Sequence, residues 1–133
     1  MKNMKTFYTP LLALFSFVML TAFEQKSNID GVISSLKVGN AAELSKYSDE
    51  NLLLTLPDKS DSYSKSQAQQ ILRDFFGTNG VKGFELKHKG NSPGGQYCIG
   101  TLQTKSGNYR THVFMQTKSG KESLKEIRFQ FIE

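Results

Sequence analysis

Three side chains of this 133-residue chain carry the chemistry of a reactive centre: Cys98, its one cysteine, and the histidines His88 and His112. A cysteine becomes a nucleophile when a neighbouring base draws off its proton. Strand alternation sends Cys98 and His112 to opposite faces of a sheet, so Cys98 reads as a small buried apolar residue. His88 alternates with Phe84 and Leu86, which aims its ring at the mouth of an enclosed space, as a ligand or as a hydrogen-bonding wall group. Two histidines without nearby carboxylates or further cysteines make a poor metal set, and neither metal nor cofactor is expected. The repeated tetrads Thr104-Lys105-Ser106-Gly107 and Thr117-Lys118-Ser119-Gly120 lack the strand-loop-helix setting of a phosphate loop. They read as hairpin tips.

Behind these residues stand two aromatic sets. Tyr47, Tyr63, Phe76 and Tyr109, joined by His88, are placed to border a mostly apolar pocket. Tyr97, Ile99, Arg110, His112, Phe114 and Arg128 share the opposite, basic face of the sheet, where a contiguous apolar patch calls for a partner or a second copy.

The elements that position them follow from periodicity. Ser27 and Asp30 are spaced as a helix start, followed by Ile29, Val32, Ile33 and Leu36 on one face and closed by Gly39. Asn40 with Glu43 opens a second short helix carrying Leu44 and Tyr47 inward, ending near Ser48. Residues 51–56 are apolar on both faces, as in a buried strand, and Pro57 ends the run. The polar segment 58–62 reads as a loop. Ser64 and Gln67 form a capping box for a helix with Ala68, Ile71, Leu72, Phe75 and Phe76 as its stripe, terminated by Gly77.

Four strands are predicted over 81–89, 96–104, 109–117 and 122–132, with a loop at 90–95. A two-residue turn in the first tetrad pairs Cys98 with Met115 and Gly100 with Val113. In the last strand Leu124 and Ile127 are three apart, which breaks the two-residue alternation. A bulge at Lys125 and Glu126 restores it, turning Leu124, Ile127, Phe129 and Phe131 inward together and bending the strand. The inner face then comprises Phe84, Leu86, Cys98, Gly100, Leu102, Val113 and Met115 with those four. The expected fold is α+β: a cone-shaped, strongly bent, mostly antiparallel sheet around about three helices, in the order α-α-β-α-β-β-β-β.

Lys2 and Lys5 precede an apolar run and a small-residue site at Thr21 and Ala22, the pattern of a secretory signal over residues 1–22. The run is shorter than the roughly 20 residues of a spanning helix, so no stable membrane insertion is expected. Residues 23–133 are one domain's worth of chain, exported to the periplasm or beyond. Without Lys2 and Lys5 the formal charge of +5 falls to +3. Lys and Arg number six against eight Asp and Glu over 23–76, and nine against four from 77 onward. The basic strand half suits an anionic surface or small ligand more than nucleic acid.

This order of elements resembles the nuclear transport factor 2-like (cystatin-like) superfamily, over nearly the whole of residues 23–133. The stretches Tyr63-Ser64-Lys65-Ser66-Gln67-Ala68, Asp74-Phe75-Phe76, Tyr97-Cys98-Ile99-Gly100-Thr101-Leu102 and Gly107-Asn108-Tyr109-Arg110 are similar to a family of small exported bacterial proteins, the domain of unknown function 4783. The resemblance implies the cone fold, export, and a pocket or dimer surface. Some enzymes of the superfamily place a carboxylate base beside a tyrosine or histidine in the cone. The inner strand positions here offer no Asp or Glu, Glu85 points outward and Asp74 lies off its helix's apolar stripe, so no catalytic residue is expected. The leading expectation is a non-catalytic module binding a small apolar or anionic ligand, or a partner. The alternatives are an isomerase- or hydratase-like enzyme using His88 with a tyrosine, and a structural homodimer through the outer sheet face.

Overall fold

A computed structural model describes residues 27–133, and the expected signal segment 1–22 lies outside them. Among the described residues the order is α1 (Asn28–Val38), α2 (Ala41–Lys46), β1 (Ser48–Leu56), β2 (Lys59–Ser64), α3 (Lys65–Asn79), β3 (Val81–Ser92), β4 (Gly95–Thr104), β5 (Gly107–Lys118) and β6 (Lys121–Phe131). The six strands form one sheet in the order β2-β1-β6-β5-β4-β3, antiparallel except where β1 runs parallel to β6.

Each helix starts where its capping residue satisfies an orphan backbone donor. The Ser27 hydroxyl accepts from the Asp30 N–H, the Asn40 side chain from the Glu43 N–H, and Ser64 with Gln67 makes the full reciprocal box. One face of each helix is apolar, covered by the sheet for α1 and α3 and chiefly by those two helices for α2. Ile29, Val32 and Leu36 of α1, Leu44 of α2 and Ala68, Leu72 and Phe76 of α3 join Leu52, Leu54, Phe84, Leu102, Met115, Leu124, Ile127 and Phe129 in one core.

The bulge in the last strand is present. Met115 pairs with Leu124 and Phe114 with Glu126, so Lys125 is the extra residue, and Leu124, Ile127 and Phe129 are all buried. Beside it β1 breaks register with β6: Ser48 pairs with Leu124, and pairing resumes with Leu53 opposite Glu126. Strand β3 carries two further bulges, at Lys82 and Lys87.

Several boundaries differ from the sequence-based expectation, each for a local reason. Residues 59–62 of the expected loop belong to β2, which folds back on β1 about Pro57 and Asp58. An edge strand whose first four residues are exposed on both faces has no apolar alternation to betray it. β1 is buried on one side alone, with Leu52, Leu54 and Leu56 inward and Leu53 exposed. α3 continues past Gly77 to Asn79, whose Nδ2 donates to the Phe75 carbonyl, and Gly80 supplies the left-handed cap at φ 72°. Residues 90–95 continue the β3–β4 ladder as far as Ser92 opposite Gly95.

The β4–β5 hairpin closes two residues earlier in register than expected, pairing Cys98 with Val113 and Gly100 with Thr111. The Thr104 hydroxyl decides this, donating to the Gly107 carbonyl at 2.6 Å and accepting from the Ser106 N–H at 3.1 Å. A slip of two preserves which face each residue takes, so the inner set survives. Leu86 and Phe131 are its exceptions, at 41% and 51% exposed. Leu86 lies on the edge strand, and Phe131 at the end of β6 has its ring edge-on to Tyr109 at 5.3 Å.

Candidate functional site

The outer face of the sheet gathers the sequence-predicted partner set. Cross-strand pairing lines up His88, Ile99, His112 and Arg128 in one row over β3 to β6, and Gly90, Tyr97, Phe114 and Glu126 in the next. Arg110, opposite Thr101 and Gln130, begins a third. A shallow depression of about 320 Å³ is lined by Tyr97, Ile99, His112, Phe114, Glu126 and Arg128. Tyr97 lies over the backbone of Gly90 and Phe114 over Gly94, where a Cβ would come within 3.0 and 3.1 Å of the rings. The rings are thereby held half-buried against their own sheet as a flat apolar floor.

The face is basic with one acid at its centre. Arg128 Nε lies 3.5 Å from Glu126 Oε2, and both arginines are exposed. Partial burial, then Arg128 and Arg110, hold the His112 pKa below the usual histidine value, with Glu126 opposing. A cation there loses hydration and meets like charge. Leu53, beside Glu126, and Glu126 itself belong to this face and were not predicted for it. Leu53 was hidden by an apolar run that gave no hint of sidedness, and Glu126 by its place in the bulge.

The sequence-predicted pocket set does not converge. The bulge at Lys87 reverses the alternation, so His88 pairs with Ile99 on the outer face and its Nε2 lies 2.9 Å from the Tyr97 hydroxyl. Tyr47 packs in the space a side chain at Gly31 would need, Tyr63 is half-buried on β2, and Phe76 is inside the core. Tyr109 is 7% exposed and its hydroxyl donates to Asn79 Oδ1 at 2.9 Å. Phe75, Phe76 and Phe129 fill the cone between them, with ring centroids 4.9 to 6.1 Å apart. At the back of the cone Phe84 occupies the position of an absent Cβ at Gly100.

Reactive groups are few. Cys98 is fully buried, and burial pushes its thiol up to about 11. Among the described residues no three His, Cys, Asp or Glu side chains are grouped to hold a metal, and no helix is long and apolar enough to cross a membrane.

Comparison with known proteins bears on this geometry. Residues 29–130 match the family described as domain of unknown function (DUF4783). A solved DUF4783 protein from Bacteroides ovatus is 33% identical, with a TM-score of 0.73 over 77% of this chain and 94% of that one. Another from Bacteroides uniformis is 31% identical, with the same TM-score over 78% and 96%. An NTF2-like protein of unknown function from Cytophaga hutchinsonii shares the fold at 11% identity, with a TM-score of 0.59 over 82% and 93%. Among curated proteins there is no match.

Proposed function

The chain belongs to the DUF4783 family, with an NTF2-like fold, and from that premise we propose that it is a non-catalytic binding module whose working surface is the outer face of the sheet, covered by a second copy of the chain. The observation that carries this reading is the convergence of Tyr97, Ile99, His112, Phe114 and Arg128 on adjacent strands about one depression, while aromatic side chains fill the cone. Half-buried aromatic and branched side chains on a rigid, flat floor are the centre of an interface, and a charged rim around them fixes its orientation.

A second copy suits this face better than a uniformly basic one would allow. Glu126 and Arg128 stand in adjacent rows, so a two-fold axis lets the Glu126 of one protomer approach the arginines of the other. The enzyme alternative draws less support: His88 pairs with Ile99 on the outer face, and among the described residues the buried polar ones are Ser35, Ser45, Ser48, Thr104 and Thr111. Export follows from the pattern of residues 1–22 as an expectation, and would present this face outside the cytoplasm.

Native mass spectrometry and light scattering test the reading directly. The protein is expected to be a dimer at micromolar concentration, and Ile99→Asp or Phe114→Asp to be a monomer with unchanged circular dichroism. A wild-type protein that remains monomeric as concentration is raised would overturn it.

A further inference from the structure

A second recess lies between the β1–β2 turn, the last turns of α3, and Tyr109. It is an open recess of about 330 Å³, at the small end of the range of small-ligand sites. Leu56, Ile71, Phe75 and Tyr109 form its apolar walls, with Asp58 and Asp74 on the rim. Phe75 and Tyr109 meet edge to face at 5.1 Å and 72°.

The hydrogen-bonding groups of the aromatic wall are already engaged. The Tyr109 hydroxyl donates to Asn79 Oδ1, and Asn79 Nδ2 donates to the Phe75 carbonyl. The rim offers acceptors: Asp74 receives a long 3.4 Å contact from Gln70 Nε2, and both aspartates are exposed. Lys59 is the one cation among the lining residues, against two carboxylates. Aromatic faces and carboxylates attract the same kind of ligand, a positive charge on an apolar body, and both are disfavoured by an anion.

We propose that this recess is a binding site for a small organic cation of the alkylammonium class, its head between Asp58 and Asp74 and its alkyl groups against Phe75 and Tyr109. The site is separate from the outer sheet face, and its occupancy does not depend on association there.

The test is a backbone-amide NMR titration with choline, run beside dimethylbutanol, the uncharged carbon isostere. Choline is expected to shift the Asp58, Ile71, Asp74 and Tyr109 amides, and the isostere to bind about tenfold more weakly. Asp58→Asn combined with Asp74→Asn should cost a similar factor, and added salt should weaken binding. Both changes are at exposed positions, and Ile99→Asp should leave the shifts intact. Equal binding of choline and its isostere, shifts that survive the double substitution, or no choline-induced shift at these amides at saturating concentration would each overturn the assignment.

Discussion

At the scale of single residues, two side chains set measurable expectations. The buried Cys98 thiol, raised to about 11, is expected to react with a thiol reagent at the rate of unfolding rather than at a free-thiol rate, and denaturant should restore full reactivity. Gly100→Ala places a methyl against the Phe84 ring and the Glu85 carbonyl. Overpacking of this kind costs about 1–3 kcal/mol, readable as a lower urea midpoint at constant slope. Cys98 and Gly100 were both legible as inner residues because parity along β4 survives a register slip of two. His88 was not, because Leu86-Lys87-His88 gives no sign that Lys87 drops out of the ladder. One unpaired residue carries the imidazole from the expected pocket to the outer face.

At the scale of elements, the bent final strand provides the sharpest contrast between side chain and backbone. Lys125→Ala keeps the extra residue and removes an exposed side chain, so stability should change by no more than about 0.5 kcal/mol. Deleting Lys125 leaves Leu124, Ile127 and Phe129 on one face of a regular strand but takes out the bend that wraps the sheet around the helices. The expected loss is about 1–3 kcal/mol in chemical denaturation, larger than that of Lys125→Ala. The α3 cap makes a smaller case, with Ser64→Ala expected to cost about 1 kcal/mol. The bulge and all three caps could be read from the chain, because a break in apolar phase and a polar residue ahead of a stripe are local signals. Strand β2 could not: Lys59-Ser60-Asp61-Ser62 pairs through its backbone, and its side chains face solvent on both sides. The end of α3 was misplaced for a related reason, since Gly77 is tolerated in an exposed helical position and the true stop needs the left-handed Gly80.

At the scale of the whole molecule, acidity should act through the outer face. His112 is flanked by Arg110 and Phe114 on its own strand, by Ile99 on β4, and by Arg128 with Glu126 on β6. With its folded pKa lowered from the usual 6.5, the unfolded chain takes up a proton that the folded chain refuses. Stability therefore rises with pH through the window below about 6.5 and is lost as pH falls through the folded value. His112→Gln should flatten this slope in thermal unfolding at stepped pH. If two copies meet across the face, acidification should also raise the dimer dissociation constant, by adding a cation to each side of the interface. The inner and outer faces were legible because apolar bulk dominates register. What fills the cone was not, since Phe75, Phe76, Phe129 and Tyr109 come from three separate elements whose meeting depends on the bend.

Among the described residues, the three bulges of the antiparallel pairings fall at Lys82, Lys87 and Lys125, the same residue type each time. Two of them lie on β3, the longer of the sheet's open margins. A foreign strand arriving there meets a ladder twice out of step and an ammonium group at each fault, so side-by-side polymerisation into fibres is discouraged. Repairing both faults, by deleting Lys82 and Lys87, would remove that safeguard and invite cross-β assembly, detectable with thioflavin fluorescence.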